Sequence, residues 1–134
     1  YPQAEFVFGK TYDLLSIADF AVVTSGTATL ETAIFKVPQV VCYKSSYLSY
    51  RIAKWLVNIK YISLVNLIMD REVVTELIQE DVSILKIQKE LDALIFDHPH
   101  REKMLSIYDE MLLLLGSEGC SKKIAQDLLG YYSK

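Results

Sequence analysis

Cysteine is scarce, with two in 134 residues. Cys42 and Cys120 lie far apart and match no metal-ligand spacing. They read as buried, reduced thiols of a cytoplasmic protein rather than a disulfide framework or a zinc site. Histidine is equally rare. His98 and His100 flank Pro99, with Asp97 the nearest carboxylate, and they read as cap and surface residues of a helix start. No stretch approaches the roughly 18–20 apolar residues that span a bilayer, and no secretory leader is read at the start. Lys and Arg number 14 against 17 Asp and Glu, for a net charge of −3. No global positive field therefore points to nucleic acid. The phosphate-binding patterns GxxxxGK[ST] and GxGxxG are missing. So is the aspartate cluster of a receiver domain, because Asp13, Asp19 and Asp70 are not arranged at strand ends for a cation. Internal repeats, linkers and low-complexity tracts are absent as well.

What is present is a 51% hydrophobic chain with nine tyrosines and five phenylalanines, long enough for one domain over residues 1–134. Ala4–Phe8 is a short β-prone run ended by Gly9. Thr11 is placed to cap a short helix with Leu14, Leu15 and Ala18 inward. Phe20–Thr24 and Gln39–Tyr43 are continuous and rich in β-branched residues, as expected of strands buried on both faces. Pro38 stands at the entrance of the second, where a missing N–H does least harm. Residues 46–59 carry a helical stripe of Leu48, Ile52, Trp55, Leu56 and Ile59. Tyr61–Leu64 reads as a further strand, and "VNLIMDRE" as a loop into a helix near Val73–Gln79. From Asp81 the period is helical, over roughly 82–95, 99–115 and 121–132. The expected architecture is α/β: a parallel, Rossmann-like sheet over residues 1–80, closed by helices over 81–134. The chain opens on Tyr-Pro-Gln and reads as a piece of something longer, with further strands expected before Tyr1.

The stretch "TSGTATLE" interrupts this apolar pattern at a strand-to-helix handover, the place where open parallel sheets bind ligands. Gly26 lets a ligand approach the backbone, and the N–H groups of residues 26–29 carry the positive end of a helix dipole. Ser25, Thr27 and Thr29 add hydroxyls, so the turn suits an anion such as a diphosphate. Glu31, within the first turns, suits the vicinal hydroxyls of a sugar. A plain helix start, with Glu31 favourable near the dipole by about 0.3–1 kcal/mol, accounts for the same residues.

"SGTATLETAIFKVPQVVCYK", then "YISLVNLIMDREVVTELIQ", then "GSEGCSKKIAQDLL" together resemble the lipid-A-disaccharide synthases, in the right order and over the whole chain. The family's middle block commonly reads "SLPN", and here Val65 stands for that proline while Asn66 is retained. The resemblance implies the nucleotide-sugar-binding, C-terminal half of a GT-B glycosyltransferase. The family transfers 2,3-diacylglucosamine from UDP-2,3-diacylglucosamine to 2,3-diacylglucosamine 1-phosphate, at the cytoplasmic face of the inner membrane of Gram-negative bacteria. It also implies no metal and no cofactor, in keeping with a sequence that has no DxD motif. Ser25, Gly26, Thr27 and Thr29 then resemble a diphosphate cradle and Glu31 the glutamate that holds the ribose. Asn66 and Arg71 become donor or diphosphate ligands, with a local salt bridge as the other reading of Arg71. Glu76 and Gln79 become candidates for the cleft, with a helix surface as the other reading of Gln79. No catalytic base is visible. GT-B enzymes commonly supply it from the N-terminal half, so this chain alone is expected to be inactive.

Two further features point to partners. Lys44, Arg51, Lys54 and Lys60 interleave with Tyr47, Tyr50, Trp55 and Tyr61, which suits either an anionic membrane surface or a helix packed on the sheet. Leu112 to Leu115 cannot all face one core, which leaves another domain, a second subunit of a homo-oligomer or the further part of the sheet as the second contact. Two other readings of the chain stand beside the resemblance. One is another UDP-sugar GT-B enzyme, such as a UDP-N-acetylglucosamine transferase or 2-epimerase. The other is a non-catalytic α/β binding module.

Overall fold

In a computed structural model of the chain, the structure describes residues 4–45 and 60–116. The helices expected over 46–59 and 121–132 lie outside these residues.

The two β-branched runs form strands β1 (Ala21–Thr24) and β2 (Gln39–Tyr43), joined through helix α2 (Thr27–Ile34). They pair in parallel with Ala21 opposite Gln39 and Thr24 opposite Cys42. Strand β3 (Glu76–Ile78) pairs in parallel on the other side of β2, with Val41 opposite Glu76 and Tyr43 opposite Ile78. The order is β1-β2-β3, so Thr24, Tyr43 and Ile78 all end at one edge of the sheet. The central strand is the driest, with Val40 and Val41 fully buried. The expected α/β architecture is therefore present, a three-stranded parallel sheet followed by helices.

Helix α1 (Thr11–Leu15) begins at Thr11, with Lys10 in the capping position and no side-chain cap. Of its expected inner face Leu15 is buried while Leu14 is half exposed. The run Ala4–Phe8 joins no strand, and Phe6 and Phe8 are among the most exposed large apolar side chains. A β-prone run without a partner has nowhere to place its backbone hydrogen bonds.

The segment 61–79 corrects two expectations. Tyr61–Leu64 is no strand; Ser63 instead caps helix α3 (Leu64–Met69), its hydroxyl accepting from the Asn66 N–H at 3.2 Å. Val73–Gln79 is no helix. It supplies β3 and then a 3₁₀ turn, Gln79–Asp81. The run contains Val73, Val74, Thr75 and Ile78, all β-branched and stiff at χ1, which favours a pleated backbone.

Helices α4 (Ile84–Phe96) and α5 (His98–Leu115) close the chain. Ser83 caps the first, and Asp97 Oδ1 caps the second by accepting the His100 N–H at 3.0 Å. Pro99 occupies the first turn of α5, where its absent N–H leaves nothing unpaired. Leu94, Met104, Tyr108 and Met111 are buried against Val40, Val41, Val65 and Val74 in one core.

Tyr108 is fully buried, and its hydroxyl accepts a hydrogen bond from Gln39 Nε2 at 3.2 Å. Burial pushes its phenol well above the ordinary tyrosine range, and the Gln39 hydrogen bond offsets this only in part. Above about pH 10 the unfolded chain releases this proton while the folded one keeps it, so stability falls as pH rises, by at most about 1.4 kcal/mol per unit. Urea unfolding between pH 7 and 11 should show that decline. Tyr108→Phe should flatten it, while lowering stability at pH 7 by about 0.5–1.5 kcal/mol.

Candidate functional site

At the end of β1 the Ser25 N–H still donates to the Cys42 carbonyl, at 3.2 Å, which extends the ladder by one residue. Gly26 then turns the chain at φ 140° and ψ −161°, a backbone region essentially reserved for glycine. A Cβ there would meet nothing within 4 Å, so the backbone angle alone demands the residue.

Gly26 is also the capping residue of α2 and has no side chain to cap with. Helices α3, α4 and α5 each receive a side-chain cap from Ser63, Ser83 or Asp97. In α2 the Thr29 N–H turns back to the Gly26 carbonyl at 3.2 Å. The N–H groups of Thr27 and Ala28, which no helix can satisfy internally, stay at the open end. The dipole makes that end attractive to an anion.

The hydroxyls around the turn divide by role. Thr27 is exposed. Ser25 Oγ donates to the Ile62 carbonyl at 2.9 Å. Thr29 is fully buried; its Oγ1 donates to the Gly26 carbonyl at 2.8 Å and accepts from the Leu64 N–H at 3.2 Å. Ser25 and Thr29 therefore tie the turn to residues 62–64, and of these three hydroxyl residues Thr27 is the exposed one. Glu31 lies one turn along α2, half-buried. One carboxylate oxygen accepts from the Tyr12 hydroxyl at 3.4 Å, and the Tyr12 ring stacks on Phe35 with centroids 5.6 Å apart. Sequence reasoning missed Tyr12; its lone signal was an aromatic residue in a short polar helix.

Asn66 and Glu76 are brought together, the first fully buried and the second half-buried. The Asn66 amide donates to the Val74 carbonyl and to Glu76 Oε1, both at 2.9 Å. Its oxygen accepts from the N–H groups of Val73 and Val74 at 2.8 and 3.0 Å. Two donors and two lone pairs are all that an amide has, and Asn66 is fully buried. Glu76 in turn accepts from the Ile62 N–H through Oε2 and the Ser63 N–H through Oε1, each at 2.9 Å. Asn66, expected as a ligand, thus spends its polar groups within the protein, and Glu76, expected in the cleft, is half-buried with three hydrogen bonds on its carboxylate.

Arg71 is not brought to the turn. It follows the far end of α3, about 9 Å along the axis from Leu64 at ~1.5 Å per residue, and forms an exposed ion pair with Glu110 of α5. Gln79 is on no helix surface. Nearly buried and in a left-handed conformation (φ 54°), it accepts from the Ser45 N–H at 3.1 Å and donates to Ser45 Oγ at 3.2 Å. With Lys44, Ser45, Glu80 and Val82 it lines a cavity of about 310 Å³ beside the ends of β2 and β3, on the same sheet edge as Gly26. Lys60, one of the basic residues interleaved with aromatics, is tied to Asp70 at 3.0 Å. Most of that set, from Tyr47 to Trp55, lies outside the described residues. Among the described residues no group of three or more His, Cys, Asp or Glu could hold a metal ion. No helix among them is long and apolar enough to cross a membrane.

The family model for lipid-A-disaccharide synthetase matches residues 3–127. The chain belongs to the lipid-A-disaccharide synthetase family. A lipid-A-disaccharide synthase of Anaeromyxobacter dehalogenans (strain 2CP-C) is 37% identical over 128 residues, covering 96% of this chain and 33% of that protein. The synthase of Syntrophus aciditrophicus (strain SB) is 41% identical over 127 residues, covering 92% and 32%. That of Gloeothece citriformis (strain PCC 7424) is 37% identical over 131 residues, covering 96% and 34%. The chain thus spans about a third of the length of these curated relatives.

Val65, which the sequence resemblance sets against a proline, is the second residue of α3, in the first turn, where a helix does not use the N–H. Val65→Pro should therefore change the free energy of unfolding by less than about 1 kcal/mol. Asn66→Ala, one residue on, should lower it by about 2–4 kcal/mol, because it orphans the buried Val73 and Val74 N–H groups. Chemical denaturation of the two variants checks both values.

Proposed function

We propose that this chain is the donor-binding part of a lipid-A-disaccharide synthase. The whole enzyme would move 2,3-diacylglucosamine from its UDP conjugate to 2,3-diacylglucosamine 1-phosphate and release UDP. The observation that carries this reading is the uncapped start of α2 at the carboxyl edge of a parallel sheet, with a glutamate one turn along it. A diphosphate set there would accept hydrogen bonds from the Thr27 and Ala28 N–H groups and from the Thr27 hydroxyl. The Glu31 oxygen not engaged by Tyr12 would accept from a ribose hydroxyl.

In the transfer step the acceptor hydroxyl oxygen bonds to the anomeric carbon as the bond from that carbon to the diphosphate oxygen breaks. The electron pair leaves on UDP, and the α2 dipole and its N–H donors favour that developing charge. The hydroxyl proton must go to a base. The reading places that base in the part of the enzyme that the relatives have and this chain does not cover. Ser25 and Thr29 shape the turn. Gln79 and its cavity with Lys44 belong to the wall of the cleft, and Arg71 reaches a diphosphate only by leaving Glu110. Strand β1 is an edge strand among the described residues, with Val22 half exposed. In this reading the rest of the polypeptide completes the sheet beside it. The site of action would be the cytoplasmic face of the inner membrane, where both lipid substrates lie.

Titration of the full-length protein with UDP and GDP tests the reading. UDP should bind the more tightly, and Glu31→Ala should weaken it by about ten- to a hundredfold, the worth of one charge-assisted hydrogen bond or slightly more. Equal affinity for UDP and GDP, or a Glu31→Ala variant that binds as the parent does, would sink it.

A further inference from the structure

We infer that Glu76 is a positioning residue for the glycine turn: it touches no ligand and holds residues 62 and 63 so that Ser25 and Thr29 are fixed. The inference rests on the donor-binding reading and deepens it.

The geometry forms a closed chain of contacts. Ile62 is gripped on both sides of its peptide unit, its N–H by Glu76 Oε2 at 2.9 Å and its carbonyl by Ser25 Oγ at 2.9 Å. Ser63 N–H is held by Glu76 Oε1 at 2.9 Å, and Leu64 N–H by Thr29 Oγ1 at 3.2 Å. Three successive N–H groups at the start of α3 are thereby taken by side chains from β3 and α2. The Asn66 amide, donating to Glu76 Oε1 at 2.9 Å, fixes the carboxylate. An apolar side chain at 76 would leave Ile62 and Ser63 N–H groups unpaired. A charged one gathers them at the strength of ion-assisted hydrogen bonds.

The arrangement also separates the two helix starts that meet at this edge. At the start of α3 the Leu64 and Asn66 N–H groups are taken by Thr29 and Ser63, and Glu76 holds the two residues before them. The start of α2, beside it, is left open. Glu76 therefore acts on the site through Ile62: release of that residue frees the Ser25 hydroxyl and the wall against which the turn is set.

Glu76→Gln tests this, because the substitution keeps the shape but turns an amide donor toward the donors that the carboxylate accepts. UDP affinity of the full-length protein should fall about tenfold, a loss of ~1.4 kcal/mol in binding. Leu94→Ala, which opens a cavity in the core under α4, supplies a comparably destabilised control and should bind UDP within about twofold of the parent. Ser25→Ala combined with Glu76→Gln should bind no more weakly than Glu76→Gln alone, because both changes break one path. Should Glu76→Gln fail to fold, Glu76→Asp replaces it, with a shorter reach and an expected loss of about three- to fivefold. Unchanged UDP binding in the Glu76 variant overturns the inference. So does a loss that Leu94→Ala matches, or losses at Ser25 and Glu76 that multiply. A parent protein that binds no UDP would instead overturn the donor-binding reading itself.

Discussion

The amide of Asn66 is the fixed point on which the open edge of this sheet depends. It is fully buried and spends all four of its hydrogen-bonding positions on Val73, Val74 and Glu76. A buried amide is worth keeping only when it is satisfied throughout, since each unmet group costs about 1–3 kcal/mol. Here that requirement forces the chain leaving α3 to pass back against the helix at Val73 and Val74 before entering β3. The path brings Glu76 under the start of α3. From there the carboxylate fixes Ile62 and Ser63, and through them the turn at Gly26.

This economy leaves the two neighbouring helix ends unlike. Helix α3 is six residues long and could not stand alone in water, so its start is held by Ser63, Thr29 and Glu76. Helix α2 begins on a glycine and receives no cap. An uncapped start forgoes roughly 0.5–2 kcal/mol that a serine or aspartate would contribute. The Gly26 conformation, φ 140° and ψ −161°, would admit neither residue without strain. In the donor-binding reading a ligand would supply the acceptors that the start of α2 lacks, while α3 beside it keeps its side-chain cap.

The alternation of strand and helix was legible from Phe20 to Tyr43, because β1 and β2 are short runs rich in β-branched residues. Burial on both faces holds for β2, whereas Val22 of β1, an edge strand among the described residues, is half exposed. The sequence also showed Asp97 and Pro99 as a helix start. Residues 61–79 were misread because period alone does not separate a short strand from a short helix. The β-branched residues of "VVT" and the Ser63-to-Asn66 cap were the better signals. At the site, the position of Gly26 and Glu31 was visible, since glycine and small hydroxyls before a helix carry their meaning locally. The direction of the hydroxyls was not. Whether Ser25 or Thr29 points at a ligand or into the fold depends on Ile62 and Leu64, more than thirty residues on. No local pattern carries that contact. Asn66 and Glu76 stood out through the block "YISLVNLIMDREVVTELIQ" that carries the family resemblance, but a motif does not say whether a polar residue meets a ligand or its own fold.

The closing helix extends the same logic to the back of the site. Tyr108 of α5 meets Gln39 at the entrance of the central strand, and Gln39 Nε2 also donates to the Thr29 carbonyl at 2.9 Å. Thr29 is therefore held at its carbonyl by the core and at its hydroxyl by Gly26 and Leu64. The first turn of α2 cannot shift toward a ligand without disturbing β2 and α5, whose contacts lie in the driest part of the molecule. In the donor-binding reading, a site braced in this way would have its donors in place before an anion arrives, and so would lose little freedom on binding. At the surface of the turn stand the exposed Thr27 and the exposed Tyr12 beside Glu31. Selectivity would be tuned there, while the backbone donors stay where the sheet has put them.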